Sequence, residues 1–263
     1  MKSGDRSKGI SPPKIAARLR AFTPARVGLG RAGVSQQTRD VLDFQLCHAQ
    51  ARDAVHARMD AAAIQRTIAS IAGTEAIRLH SAAPDRSTYL QRPDLGRKLD
   101  SKSCETLARL ESSSCDVALI VADGLSALAI ERHVGPLFSE LLPRLAGWKL
   151  APVCVVEQGR VAIGDEIGSA LCAQISVVLI GERPGLSSPD SLGAYITWAP
   201  RAGRTDAERS CISNIRAEGL SYNDAAEQLA NCLAAARRNR LTGTALGEAT
   251  RVLPEAGRNG ARP

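Results

Sequence analysis

From the middle of the chain onward, short apolar runs alternate with polar or glycine-containing turns. Residues 116–122, 152–156 and 175–180 are mostly Val, Ile, Leu and Ala, without strict alternation of apolar and polar positions. Such runs are typical of strands buried on both faces, as in a parallel sheet covered by helices. A fourth run spans residues 194–198, and residues 224–238 have helical spacing with basic residues in the last turns. The pattern predicts an α/β fold with a Rossmann-like, doubly wound parallel sheet.

Each of the first three predicted strands ends in a turn rich in polar residues or glycine. Asp123 and Gly124 follow the first strand, Gln158 and Gly159 follow the second, and a Gly-Glu-Arg-Pro-Gly turn at residues 181–185 follows the third. In open α/β sheets, ligands bind outside the carboxyl ends of the strands, where loops and helix amino-termini converge. We therefore expect a binding site at these turns.

The first hundred residues have a different pattern. Residues 23–33 form a glycine-rich loop, and apolar spacing predicts helices at residues 35–59, 61–72 and about 103–110. The intervening residues 86–99 are dense in Pro, Gly and charged residues and indicate a structured loop. This part of the chain should be mainly helical.

These patterns divide the chain into four parts. We expect a basic flexible tail at residues 1–22 and a smaller, mainly helical N-terminal domain at residues 23–105. A Rossmann-like domain that contacts the ligand should follow at residues 106–245, and a flexible tail should follow at residues 246–263.

The formal net charge of +7 lies mainly near the two ends of the chain. Residues 1–22 hold six basic residues against one aspartate, and residues 237–263 hold six arginines against two glutamates, which leaves −2 for the body. With only eight aromatic residues in addition, the folded part has little material for a nucleic-acid groove or a base-stacking platform. We expect no nucleic-acid partner, although contact of the tails with an acidic partner stays open.

The cysteine and histidine content argues against disulfides and metal sites. The seven cysteines form no Cys-x-x-Cys pair and are odd in number, which favours reduced thiols in an intracellular protein. The four histidines have no carboxylate arranged with them as a third ligand, so we expect no metal site. No apolar run approaches the roughly 18 residues that a membrane-spanning helix needs.

One alternative is a free-standing dinucleotide-binding oxidoreductase. Gly28, Gly30 and Gly33 match the Gly-x-Gly-x-x-Gly fingerprint, and Asp53 follows twenty residues after the last glycine. Dinucleotide binding by this fingerprint needs a strand that leads into the glycine turn, whereas the residues before Gly28 contain a proline and an arginine. Asp53 also falls inside a predicted helix, so a tight glycine-rich loop is the simpler interpretation.

Three residues are weighed as candidates for the site, and two of them, Val161 and Glu182, lie at turns after predicted strands. Glu182 lies between two glycines at a strand end, where its carboxylate could accept hydrogen bonds, although an exposed glutamate paired with Arg183 is the commoner outcome. Cys211 could be a nucleophile, but no histidine lies nearby in sequence to activate it, so a buried, inert thiol is more usual. Val161 alone would be taken as a packing residue.

Six sequence segments occur together in a fixed order and spacing. They are Thr-Pro-Ala-Arg-Val-Gly-Leu-Gly-Arg-Ala-Gly at 23–33, Tyr-Leu-Gln-Arg-Pro-Asp-Leu-Gly-Arg at 89–97, Asp-Gly-Leu-Ser at 123–126, Gly-Arg-Val at 159–161, Gly-Glu-Arg-Pro-Gly-Leu at 181–186 and Arg-Ser-Cys-Ile-Ser-Asn-Ile at 209–215. Together they resemble the light chain of ethanolamine ammonia-lyase over about residues 22–243. The basic tails lie outside this resemblance.

The resemblance implies a small helical domain and a Rossmann-like domain, packed against a larger barrel subunit with adenosylcobalamin between them. The cobalamin-contacting positions of the family fall on Val161, Glu182 and Cys211. The resemblance implies no catalytic residue and no metal ligand in this chain, which would not be active alone.

The implied reaction converts ethanolamine to acetaldehyde and ammonia by a radical mechanism. Ethanolamine would be held mainly by the large subunit, while this chain would hold the lower face and nucleotide tail of cobalamin. Since no Asp-x-His-x-x-Gly segment occurs, the benzimidazole of the cofactor should stay on cobalt. We expect a cytoplasmic location, and the resemblance leaves open whether the enzyme is enclosed in a bacterial microcompartment.

Overall fold

The computed structural model describes residues 12–23, 25–110 and 113–251, and its helices and strands are numbered here in chain order. The helices are α1 (Pro12–Arg20), α2 (Thr38–His56), α3 (Ala61–Ala72), α4 (Arg86–Gln91), α5 (Ser101–Ala108), α6 (Ala127–Arg144), α7 (Ile163–Ala170), α8 (Tyr222–Asn239) and α9 (Thr244–Arg251). The strands are β1 (Arg31–Ala32), β2 (Ser35–Gln36), β3 (Ile77–His80), β4 (Cys115–Ala122), β5 (Cys154–Glu157), β6 (Ala173–Gly181), β7 (Leu192–Trp198) and β8 (Arg209–Ile215). The predicted α/β class is confirmed.

The main sheet has six strands in the order β3-β5-β4-β6-β7-β8. The strands β3, β5, β4 and β6 run parallel, whereas β7 runs antiparallel to β6 and β8 antiparallel to β7. The sheet is therefore mixed, while the sequence pattern predicts a parallel one. Ten residues each separate β6 from β7 and β7 from β8, fewer than the dozen or more that a parallel crossover needs.

Helices cover both faces of this sheet. The odd-numbered side chains from Val117 to Val121 of β4 belong to one core with α3, α6 and α8. The even-numbered side chains from Ala118 to Ala122 belong to a second core with α5 and α7. Burial on both faces explains why β4 is apolar almost throughout, as its sequence pattern predicts.

Of the N-terminal helices, α3 matches its prediction, α2 ends at His56 rather than at residue 59, and α4 lies in the segment predicted to be a loop. The helix α3 has the predicted bounds, since the Asp60 carboxylate accepts the Ala63 N–H at its start and Gly73 adopts a φ of 70° at its end. The helix α2 begins three residues later than predicted, because Ser35 pairs with Ala32 in the β1–β2 hairpin. None of the described helices is long and apolar enough to cross a membrane.

The two predicted tails extend beyond the part of the chain that the structure describes. Residues 1–11 and 252–263 lie outside the described residues. Within the predicted tail segments, the described residues include the helix α1 and most of α9. The division of the chain into domains at residue 105 stays a prediction.

Candidate functional site

An open cavity of about 430 Å³ lies where β4, β5 and β6 end. Its wall combines the turns that follow these three strands with Tyr89 of α4 and Tyr195 of β7. Val161 and Glu182 both line it. The volume falls in the range of roughly 300–1,000 Å³ that is usual for small-molecule sites. Two of the three candidate residues from the sequence thus line one cavity at the carboxyl edge of the sheet.

Glycines let the turn after β4 lie directly against the end of β6. Gly124 has a φ of 57°, in the left-handed region, and its neighbour Leu125 donates its N–H to the carbonyl of Gly181 at 2.9 Å. A Cβ atom at Gly181 would lie 2.0 Å from the carbonyl oxygen of Ser126. Only glycine therefore fits at position 181. Because of this close approach, the resembling segments at residues 123–126 and 181–186 lie side by side and form one wall of the cavity.

The buried carboxylate of Asp123 joins the turns after β4 and β5. It accepts the N–H of Gly159 at 3.0 Å. The guanidinium of Arg86, also buried, lies 3.6 Å from this carboxylate and donates to the carbonyl of Gly124 at 2.8 Å and to the side chain of Gln158 at 3.3 Å. Burial raises the pKa of Asp123 to about 6, because Arg86 and the backbone donors offset only part of the lost hydration.

This carboxylate should make the free energy of unfolding depend on pH. The pKa of Asp123 is about 6 in the folded protein, against an ordinary value of 3.8, so the folded state binds this proton more tightly. The stability contributed by this group is full below about pH 4 and is lost as the pH rises through about 6, a change of about 3 kcal/mol.

Urea unfolding of the unsubstituted chain and of Asp123→Asn, at several pH values from about 4 to about 7, would measure this effect. The unfolding free energy of the unsubstituted chain, minus that of the variant, should fall by up to about 3 kcal/mol across the range. A pH-independent difference would show that Asp123 titrates normally.

The segment at residues 89–97 packs beneath the turn that carries Val161. The hydroxyl of Tyr89 donates to the carbonyl of Gly159 at 3.0 Å, and the N–H of Arg160 donates to the carbonyl of Gly96 at 2.7 Å. The Arg160 guanidinium stacks 4.2 Å from the centre of the Tyr89 ring. These contacts bring together two segments of the resemblance and position Val161 at the cavity.

The carboxylate of Glu182 is held in place by two donors. It accepts a short hydrogen bond from the Ser191 hydroxyl and another from the backbone N–H of Asn214 at 3.2 Å. A Cβ atom at Gly193 would lie 2.9 Å from this carboxylate, so glycine at that position leaves room for it. Both donors bond to one oxygen of Glu182, which leaves acceptor capacity for a ligand.

Cys211 lies beside the cavity wall, on β8. It pairs with Tyr195 of the neighbouring strand β7, and Tyr195 lines the cavity. Cys211 is exposed, so the expectation of a buried thiol is wrong, yet the loss of water around its sulfur raises the pKa of the thiol. A raised pKa keeps the thiol protonated, which favours a contact residue over a nucleophile.

A buried ion pair connects the strand of Cys211 to the helix that follows Val161. Arg209 at the start of β8 donates to both carboxylate oxygens of Asp165, at 2.8 and 2.7 Å, and Asp165 lies in the first turn of α7. Arg209 also donates to the Thr197 hydroxyl at 2.9 Å. No sequence pattern predicts this pair, although Arg209 begins one of the resembling segments.

The glycine-rich loop of the dinucleotide alternative lies elsewhere in the chain. Gly28 and Gly33 have φ values of 59° and 64°. No strand leads into the loop within described residues 25–30, and Asp53 lies inside α2. The structure thus has a tight glycine loop, as the simpler interpretation predicts, without the strand that dinucleotide binding requires.

The fold and the cavity define an α/β protein with a ligand-sized cavity built from the turns after three parallel strands. Residues 13–247 match the family model described as Ethanolamine ammonia-lyase light chain (EutC). The chain belongs to the ethanolamine ammonia-lyase light-chain family. The name of the family, light chain, indicates that the chain is one subunit of a lyase with more than one kind of subunit.

Individual relatives agree with this assignment over nearly their whole length. The ethanolamine ammonia-lyase small subunit of Xanthomonas campestris pv. campestris is 55% identical over 254 residues, which cover 94% of this chain and 93% of the relative. The subunit of the same name from Ralstonia nicotianae is 55% identical over 246 residues, 91% of each chain. That of Pseudomonas aeruginosa is 56% identical over 240 residues, 89% of this chain and 87% of the relative.

Proposed function

We propose that this chain is the small subunit of an adenosylcobalamin-dependent ethanolamine ammonia-lyase, which converts ethanolamine to acetaldehyde and ammonia. Its role in the enzyme is to hold the lower face and nucleotide tail of cobalamin at the interface with the large subunit. The observation that carries this proposal is that Val161 and Glu182 line one cavity, with Cys211 next to it through Tyr195.

The residues of the cavity suit a large ligand that carries amide groups. Val161, Leu125 and Ile180 supply apolar surface, and the Glu182 carboxylate supplies an acceptor for amide N–H groups. The buried Nε of Arg160 has no hydrogen-bond partner among the described residues, which leaves one donor next to the cavity unsatisfied. Apolar walls with a few convergent polar groups are typical of cofactor sites.

The open side of the cavity agrees with a role in a larger assembly. Cobalamin exceeds a cavity of about 430 Å³, so this chain alone could enclose only part of it, and the large subunit would cover the remainder and hold most of the contacts to ethanolamine. The bound cofactor supplies the radical chemistry of the reaction. Residues of this chain orient it and exclude water from one side. We place the enzyme in the cytoplasm, on the basis of its free cysteines.

Replacing Glu182 with alanine should weaken cobalamin binding by the two-subunit enzyme about ten- to a hundredfold, because a hydrogen bond to a charged group contributes roughly 1.5–3 kcal/mol. Equilibrium binding of cobalamin to the assembled enzyme would measure the effect. The isolated subunit should stay folded, with a lower thermal unfolding temperature because the Ser191 hydroxyl and the Asn214 N–H lose their acceptor. Glu227→Ala, an exposed glutamate on α8, serves as the matched control. Equal affinity in the Glu182 variant and the control would remove Glu182 from the cofactor site.

The proposed function as a whole is tested by co-expressing this chain with the large subunit of its own organism. Ammonia release from ethanolamine should require both chains and added adenosylcobalamin. Activity of the large subunit without this chain, or activity of the pair without the cofactor, would overturn the proposal.

A further inference from the structure

The chain segment that leads into Ser191 is fixed by the start of α6. The hydroxyl of Ser126, the residue before this helix, donates to the carbonyl of Pro189 at 2.9 Å. Arg132 of α6 forms an ion pair with the carboxylate of Asp190 at 2.7 Å. Because the two residues before Ser191 are held in this way, the position of Ser191 is set by the helix and not by the loop alone.

Ser191 and Glu182 are joined by two hydrogen bonds in opposite directions. The backbone N–H of Glu182 donates to the carbonyl of Ser191 at 2.9 Å, and the hydroxyl of Ser191 donates to the carboxylate of Glu182. Ser191 is only 6% exposed, so little water competes for its hydroxyl. Hydrogen bonds to a charged acceptor are roughly twice as strong as those between neutral groups. The Ser191 hydroxyl therefore holds the carboxylate in one orientation.

The strands β7 and β8 restrict the same carboxylate. Asn214 of β8 has a φ of 60°, a conformation that asparagine adopts more readily than most residues, and its N–H donates to Oε2 of Glu182 at 3.2 Å. The Ser191 hydroxyl bonds to this oxygen as well. A Cβ atom at Gly193 of β7 would lie 2.9 Å from the other oxygen, Oε1. Within the described part of the chain, both donors are on Oε2, and Oε1 keeps its acceptor capacity.

We infer that Ser191 is a positioning residue for the cofactor, and that its hydroxyl orients Glu182 so that Oε1 accepts hydrogen bonds from the amide groups of cobalamin. This inference rests on the proposed function, which supplies cobalamin as the ligand. Ordering a flexible side chain when a ligand binds lowers the affinity. Because Ser191 orders Glu182 when the subunit folds, the cofactor binds to a carboxylate that is already fixed.

The test is a double-mutant cycle on the dissociation constant of cobalamin, measured with the enzyme assembled from both subunits. Ser191→Ala should raise this constant about two- to tenfold, the range that corresponds to ordering one flexible side chain. In the Glu182→Ala background, Ser191→Ala should have no further effect, because the hydroxyl acts only through the carboxylate. A serine that contacted cobalamin itself, or that only supported the local fold, would weaken binding in both backgrounds.

Ser176→Ala is the matched control. Ser176 is a serine of β6 that is 1% exposed and lies five residues before the end of the strand, and its hydroxyl has no hydrogen-bond partner among the described residues. The control enzyme should bind cobalamin as tightly as the unsubstituted enzyme. Thermal unfolding of each isolated variant would verify that the chain is folded.

The possible outcomes separate the inference from the proposed function. If Ser191→Ala had the same effect with and without Glu182, or did not weaken binding where Glu182→Ala does, the positioning role would be ruled out and the proposed function would stand. Unchanged affinity in Glu182→Ala would likewise contradict the inference, since the hydroxyl would then have no ligand contact to orient. Failure of the unsubstituted enzyme to bind cobalamin would overturn both.

Discussion

Gly181→Ala should lower the free energy of unfolding by about 3 kcal/mol and, under the proposed function, weaken cobalamin binding by the assembled enzyme. The added Cβ would lie 2.0 Å from the carbonyl oxygen of Ser126 and 2.6 Å from that of Asp123. Both are backbone atoms that cannot rotate away as a side chain can, so the turn after β4 must move. That turn forms a wall of the cavity, and urea unfolding together with cofactor binding would measure the two effects.

Gly247→Ala is the control for this substitution. A Cβ at Gly247, in α9, meets nothing within 4 Å, and alanine is the better helix former, so the free energy of unfolding should stay equal or rise by up to about 1 kcal/mol. If both alanine variants unfolded at the same urea concentration as the unsubstituted chain, the close contact between the turn after β4 and the end of β6 would be contradicted.

Removing one member of the Arg209–Asp165 pair should have an effect of similar or greater size. Asp165→Ala leaves the buried guanidinium of Arg209 with only the exposed carboxylate of Asp206, 3.5 Å from its Nε, and breaking a buried pair costs about 3–5 kcal/mol. The pair also ties β8 to α7, so the thiol of Cys211 should react faster with a thiol reagent in the variant. Urea unfolding and the rate of Cys211 modification would measure both effects.

An exposed pair provides the comparison. Glu105→Ala breaks the pair of Glu105 with Arg109 on α5, whose side chains are 66% and 80% exposed, and it should cost less than about 1 kcal/mol. A double variant, Asp165→Leu with Arg209→Met, should be more stable than Asp165→Ala because no unpaired buried charge remains. Equal stability of Asp165→Ala and Glu105→Ala would contradict a structural role for the buried pair.

The interior strands of the sheet could be predicted from the sequence because burial on both faces requires nearly continuous apolar residues. The edge strand β8 could not, since its residues alternate between partly buried and exposed and include Ser213 and Asn214. The strand β3 has only four residues, too few to show a period. The mixed sheet depends on the two strands after β6, whose direction their side chains do not encode.

The position of the cavity could also be predicted, because the carboxyl ends of parallel strands converge at one edge of a sheet. That rule places Val161 and Glu182 near each other without naming their neighbours. The contacts that fix the cavity wall join Asp123 to Gly159 and Arg209 to Asp165, across 36 and 44 residues of sequence. No local sequence pattern predicts such pairs, since each of these residues, taken alone, is an ordinary charged or small residue.

The side chain of Arg86 connects the last turn of α2 to the wall of the cavity. One guanidinium donates to the carbonyl of Val55 in the last turn of α2 at 2.7 Å and to the carbonyl of Gly124 in the cavity wall at 2.8 Å. A displacement of that helix would therefore change a hydrogen bond in the cavity wall. Under the proposed function, if subunit association changed the affinity for cobalamin by some factor, cobalamin would change the affinity between the subunits by the same factor, because coupling free energies are reciprocal.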